Sequence, residues 1–213
     1  MKTDELVRLL ATGADAVDTH AAERRIAGAV GYGAVGALLL MLALLGVRAD
    51  LEQAVSSPSF WLKTGFVAGV LAASAFTAWR LARPGARLAG VPAALAAPLV
   101  VIWAFAAYAL LGADPAQRAD LVLGATWRWC PWLIALLSLP AFVAAMHAMQ
   151  GLAPTRPRLA GAAAGLLAGA TGALVYCLHC PESAPPFIGL WYVVGMLVPA
   201  LAGAALGERL LRW

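Results

Sequence analysis

Six long apolar runs constrain this chain more than any other feature of its sequence. They cover residues 26–47, 60–81, 92–111, 131–149, 159–178 and 187–206. About 20 apolar residues in a helix cross the hydrocarbon core of a bilayer, where backbone polar groups must bond to each other. Charged residues make up 12% of the chain, about half the share in soluble domains. We therefore predict an all-α membrane protein, a bundle of six transmembrane helices joined by short links.

The basic residues predict how this bundle is oriented. With six spans both termini lie on one side of the membrane, and eleven of the fifteen Lys and Arg residues fall on that side. The other four are Arg48, Lys63, Arg118 and Arg128. Because cytoplasmic loops carry the excess of Lys and Arg, both termini are predicted to be cytoplasmic. The net charge of +4 then reflects topology, so it does not indicate direct nucleic-acid binding.

The predicted spans contain almost no ionisable side chains, which argues against a transporter or a proton pump. Lys63 lies near the start of the second span, where its long side chain can reach the surface. His147, near the end of the fourth, is expected to be interfacial. Pro98, Pro140 and Pro199 lie within spans and predict kinks or local breaks.

Glycines recur at every fourth position in the last two spans. They are Gly161, Gly165 and Gly169 in the fifth, and Gly203 with Gly207 in the sixth. Such faces allow the backbones of two helices to approach closely. We expect them to pack helices within one bundle, and a homodimer stays open as the alternative.

The N-terminal segment, residues 1–25, predicts a short amphipathic helix. Leu6, Leu9 and Leu10 recur at i, i+3 and i+4 and form one apolar face. Asp4 lies where the first turn favours negative charge. Isolated helices shorter than about 12–15 residues are marginal in water, so the leucines need a surface to cover. The bundle or membrane surface, and a groove on a partner protein, are equally compatible with this pattern.

The stretch YCLHCPE and one distant cysteine form a candidate site at the opposite membrane surface. Cys130 precedes the fourth span, and Cys177 and Cys180 follow the fifth. Together with His179 and Glu182 they could bind a zinc or heavy-metal ion. Alternatively, Cys130 could form a disulfide with Cys180 or Cys177. Cys177 alone is better explained as an apolar packing residue. No other cofactor and no catalytic residue is predicted.

Four stretches resemble those of a known family, in the same order and over essentially the whole chain. They are the opening MKTDELVRLLA, TRPRLAGAAAG from Thr155, the block YCLHCPESAPPFIGLWY and the closing LGERLLRW. The chain thereby resembles the NrsF-type anti-sigma factors. This resemblance implies a six-span protein of the bacterial inner membrane that negatively regulates a SigF-type, extracytoplasmic-function sigma factor.

The resemblance also implies a division of labour along the chain. Residues 1–25 would hold the sigma factor, and residues 26–213 would form a transmembrane sensor. Sensing of heavy-metal or oxidative stress falls on Cys130 and Cys180, with Cys177 secondary because it matches a variable position. The family pattern assigns no role to His179 or Glu182. On the physical argument above, the sigma-binding residues are Asp4, Leu6, Leu9 and Leu10.

Two other functions remain as alternatives. A small metal transporter could use the cysteines as an entry site, although the spans lack the charges that transport usually requires. A membrane thiol oxidoreductase could pass electrons from Cys177 and Cys180 to a quinone. That reaction would need a second redox pair, for which only Cys130 remains.

Overall fold

The computed structural model describes residues 3–12, 20–83 and 85–212, without the side chains of Leu9 and Leu10. This part of the chain is helical and contains no β-strand. The helices are α1 (Thr3–Thr12), α2 (Ala21–Leu44), α3 (Leu51–Val55), α4 (Pro58–Leu81), α5 (Val91–Gly112), α6 (Arg118–Leu123), α7 (Cys130–Leu137), α8 (Leu139–Gln150), α9 (Pro157–Tyr176), α10 (Pro185–Phe187) and α11 (Val193–Leu210). A π-helical turn, Ile188–Tyr192, joins the last two.

Five helical segments are long and apolar enough to cross a membrane: α2, α4, α5, α9 and the continuous run Pro185–Leu210. The pair α7 and α8 passes the same test together, and it makes a sixth span if the two are counted as one. The predicted all-helical class with apolar spans is therefore confirmed. The predicted count of six depends on how the bent pair is counted.

The bend between α7 and α8 measures 48°. It lies at Ser138, two residues before Pro140. Proline has no N–H for the preceding turn, and its ring displaces the carbonyl four residues earlier. The predicted break near Pro140 is thus confirmed, whereas α5 and α11 run without interruption through Pro98 and Pro199.

Helix α9 is the centre of the bundle, with 78% of its most apolar stretch buried, against 11% for α5. Its glycine face lies directly on α11. A Cβ atom added to Gly161 would overlap the backbone of Gly203, and one added to Gly165 would overlap Pro199. The prediction that these glycines pack helices within one bundle is confirmed.

The π-helical turn in the last span was not predicted from the sequence. Such turns insert one residue into a helix and shift the side chains that follow, and they are frequent at functional sites. Here the turn ends at Tyr192, whose side chain is fully buried. Its hydroxyl lies beside Cys177 and Cys180 without a well-aligned hydrogen bond.

Candidate thiol site

All three cysteines lie buried at one end of the bundle as free thiols. Cys130 is the first residue of α7, Cys177 caps the end of α9, and Cys180 lies in the loop that follows. We call residues 177–184 the thiol loop. Cys130 and Cys180 belong to the same buried cluster, and the Cys130 thiol is close enough to stabilise negative charge on the Cys180 sulfur. We call these two residues the thiol pair.

The local electrostatics favour ionisation of Cys180. Stabilisation of the thiolate by the neighbouring Cys130 thiol and, to a smaller extent, by the positive charge of Lys63 lowers the pKa of the Cys180 thiol to about 6, against the opposing effect of burial. A thiolate is the reactive form of cysteine toward oxidants and soft metal ions. Cys180 is therefore the nucleophilic member of the thiol pair.

Cys177 is in a different environment. Burial raises the pKa of its thiol to about 11. It lines an apolar groove of about 470 Å³ together with side chains of α2 and α4, including Val35 and Thr64. These surroundings agree with the interpretation of Cys177 as a packing residue.

Lys63 corrects a prediction made from the sequence. Its side chain is fully buried and does not reach the surface. The Nζ atom donates to the main-chain oxygens of Cys180 and Glu182, both at 2.9 Å, and lies 5.8 Å from the centroid of the Phe60 ring. The reason is local: the thiol loop folds inward over the start of α4 and offers carbonyl oxygens where water had been expected. A lysine one turn inside an apolar span was the signal that could have identified it.

A second cation holds the same loop. The backbone N–H of Arg48 donates to Leu178 O at 3.1 Å, and its Nη1 donates to Cys180 O at 3.2 Å. The guanidinium also forms two hydrogen bonds of 2.7 Å with the carboxylate of Asp50. Such paired contacts fix the plane of the guanidinium, so the main-chain oxygen of Cys180 is held from two directions.

His179 and Glu182 connect the thiol loop to two other segments. The Nδ1 atom of His179 donates to Gly46 O at 2.9 Å, next to the end of α2. The Oε1 atom of Glu182 accepts from the backbone N–H of Ala125 at 2.8 Å. Gly124, at φ +56°, allows this approach, because a Cβ atom there would lie 2.8 Å from the Glu182 carboxyl carbon. Glu182 thus ties the loop to the segment that leads into Cys130.

The predicted metal site is not assembled. Within the described ranges, no three His, Cys, Asp or Glu side chains converge as a group that could hold an ion. Of the five predicted ligands, His179 and Glu182 are engaged with backbone groups, as just described. Cys177 faces the apolar groove, which leaves Cys130 and Cys180 as the only two predicted ligands in contact with each other.

The predicted sigma-binding residues lie on α1, far along the chain from the cysteines. Asp4 falls in the first turn of the helix, as predicted, and its side chain is exposed. Leu6 is 42% exposed, which is high for a leucine. The side chains of Leu9 and Leu10 lie outside the described part of the structure.

At the end of the bundle opposite the thiols, α2 and α4 are joined by a small polar cluster. Arg83, just after α4, lies 3.6 Å from the carboxylate of Glu23 in the first turn of α2. Its guanidinium also lies 4.1 Å from the ring centroid of Trp79. This contact couples the end of α4 to the start of α2, whose first residues belong to the N-terminal segment.

Comparison with known proteins gives full-length matches. Residues 10–213 match the NrsF family, described as "Negative regulator of sigma F". The chain is 56% identical over 213 residues to "Probable anti-sigma-F factor NrsF" of Azospira oryzae. It is 39% identical over 219 residues to "Anti-sigma-F factor NrsF" of Caulobacter vibrioides. Each alignment covers 100% of both proteins, and no solved structure is significantly similar.

Proposed function

The chain belongs to the NrsF family of negative regulators of sigma F, and we propose that it is a thiol-controlled anti-sigma factor of the bacterial inner membrane. Residues 1–25 bind an extracytoplasmic-function sigma factor of the SigF type on the cytoplasmic face. Residues 26–213 form the transmembrane sensor. Reaction of the thiol pair with an oxidant or a heavy-metal ion from the periplasm releases the sigma factor.

The excess of basic residues on one side supports this orientation. Arg83 and Glu23 contact each other at the end of the bundle opposite the thiols. The predicted topology puts both termini on that side of the membrane. The thiol end carries few cations, and two of them, Arg48 and Lys63, are engaged with the thiol loop. By the positive-inside rule the thiols face the periplasm, a compartment in which disulfides persist.

The exposed leucine and acidic residues of α1 support a protein partner. A short helix with an apolar face suits a groove that accepts amphipathic helices. The acidic first turn, with Asp4, suits a basic partner surface. An amphipathic helix bound to anionic lipid would instead favour a basic polar face.

The contact between Cys130 and Cys180 is the single observation that carries the sensing function. Oxidation by a peroxide has a simple balance. The Cys180 thiolate attacks the peroxide to form a sulfenic acid, and the Cys130 thiol displaces water from it to form the disulfide. Two thiols and one hydrogen peroxide thus give one disulfide and two waters. A soft metal ion bridging the same two sulfurs is the alternative signal.

Co-purification tests the partner. The full-length protein, extracted from its own membranes in mild detergent, should retain a sigma factor that mass spectrometry identifies. A variant that lacks residues 1–19, and so keeps the whole of α2 and Glu23, should lose it while keeping the same thermal stability. Retention without those residues would contradict the assignment of the binding segment. Absence of any sigma factor from the full-length protein in unstressed cells would contradict the partner itself.

A further inference from the structure

Lys63 is the feature of the thiol end that the proposed function leaves unexplained. Burial of an ammonium group is costly unless it is well paired. In the part of the chain that the structure describes, no carboxylate forms an ion pair with Lys63. Its two hydrogen-bond acceptors are the main-chain oxygens of Cys180 and Glu182, both from the thiol loop. The only charge on the buried face of α4 at this end is therefore used to hold that loop.

We propose that Lys63 is a positioning residue that transmits the state of the thiol pair to α4. This inference rests on the proposed function for its biological meaning, because the thiol pair must be the sensor. The contacts that define the link are nevertheless independent of any sigma factor. They join the main chain of a reactive cysteine to a membrane-spanning helix through one side chain.

Disulfide formation must move one side of this link. Both thiols are free and belong to one buried cluster, and a disulfide would bring the two sulfurs to about 2.05 Å. Cys130 lies at the start of a helix packed against α9 and α11, whereas Cys180 lies in a loop. The loop is the part that can move. Since Lys63 binds the main-chain oxygen of Cys180 itself, displacement of that residue either pulls α4 or breaks the two hydrogen bonds.

The C-terminal end of α4 contacts the start of α2, so a movement of α4 can reach α2. From Lys63 to Trp79 the helix covers sixteen residues, which is about 24 Å at 1.5 Å per residue. Trp79 lies against Arg83, which contacts Glu23 at the start of α2. A shift of α4 along its axis therefore reaches the first turn of α2, which belongs to the N-terminal segment.

Hydrogen–deuterium exchange of the full-length protein tests the link without a sigma factor. The protein in detergent is compared before and after hydrogen peroxide closes the Cys130–Cys180 disulfide, which mass spectrometry quantifies. In the wild type we expect disulfide formation to change amide exchange in the first turns of α4 by about fivefold or more, as local opening energies shift. In Lys63→Met, which keeps the length of the side chain and removes its donors, the change should fall below about twofold.

Thr77→Val is the matched control. Thr77 is buried on the same helix, but among the described residues its hydroxyl bonds only to Ala73 O, one turn earlier in α4. This variant should respond to oxidation as the wild type does. The inference is overturned if α4 in Lys63→Met responds as strongly as in the wild type. It is also overturned if closure of the disulfide leaves α4 unchanged in the wild type.

Sigma-factor affinity separates this inference from the proposed function. In the wild type, oxidation should weaken sigma binding by about tenfold or more, within the usual range of allosteric coupling. Lys63→Met should bind sigma when reduced and lose most of this response, which a merely misfolded variant would not do. If α4 responds through Lys63 while wild-type sigma affinity ignores oxidation, the link stands and the proposed release fails.

Discussion

Cys130→Ala should change how the reactivity of Cys180 depends on pH. In the wild type the interaction with the Cys130 thiol is the largest cause of the lowered pKa of Cys180, which lies at about 6. Above that pH the thiolate is nearly fully formed, so the alkylation rate should be almost constant from pH 7 to pH 9. Removal of Cys130 leaves burial as the dominant effect, and the pKa of Cys180 should rise toward or above the usual value near 8.5.

The expected magnitude follows from the two pKa values. With a pKa of about 6, the thiolate fraction grows by only about 1.1-fold between pH 7 and pH 9, whereas with a pKa of about 8.5 it grows roughly 25-fold. The ratio of rates at the two pH values cancels both the intrinsic nucleophilicity of the thiol and the burial that limits access.

Iodoacetamide labelling followed by mass spectrometry of the peptide that contains Cys180 measures this ratio. Cys177→Ala is the control, because Cys177 makes no hydrogen bond that lowers the pKa of Cys180. Its ratio should match that of the wild type. A wild-type rate that rises more than about tenfold between pH 7 and pH 9 would refute the assignment of Cys180 as a thiolate.

Three further predictions concern packing, the loop and the partner helix. Gly165→Ala should lower stability by about 1–3 kcal/mol, because the added Cβ overlaps the backbone of α11. Gly31→Ala, where a Cβ meets nothing within 4 Å, should be nearly neutral, and thermal unfolding in detergent compares the two. Glu182→Ala removes the acceptor of an exposed hydrogen bond and should cost about 0.5–1.5 kcal/mol in the same assay; an unchanged melting temperature would contradict the role of Glu182 in holding the thiol loop. Leu6→Asp should weaken sigma binding by about tenfold or more in a binding titration, because the complex would bury this leucine against the sigma factor. Ala11→Asp, on the opposite side of α1, should have little effect in the same titration.

The series of long apolar helices was predictable because it depends on local properties of the sequence. Apolar length placed each predicted span within a few residues of a helix or a helix pair in the structure. Pro140 indicated the bend, since proline removes a backbone N–H and crowds the preceding turn, although the same signal at Pro98 and Pro199 accompanies continuous helices. The glycine repeats indicated close packing of helices within the bundle, because glycine allows close backbone contact, and the structure shows that the two glycine faces meet at the α9–α11 interface. Each of these features depends on one segment and its composition.

The candidate site was only partly predictable because it depends on how distant loops fold. The sequence placed the cysteines at one membrane surface but left the pairing open, and the contact between Cys130 and Cys180 depends on the path of the thiol loop. That same path buries Lys63 and directs Glu182 toward Ala125. It thereby disperses the side chains that spacing alone had suggested as metal ligands. The π-helical turn at Tyr192 has no composition signal that distinguishes it from an α-helix.

Simultaneous measurement of sigma release and disulfide formation tests the central claim most directly. Membranes that contain the protein and its bound sigma factor are titrated with hydrogen peroxide, and the released sigma factor is compared with the fraction of Cys130–Cys180 disulfide. We predict that the two rise together in the wild type and in Cys177→Ala, and that Cys130→Ser releases no sigma factor. Release of sigma factor from Cys130→Ser at the wild-type peroxide concentration would contradict the thiol pair as the sensor.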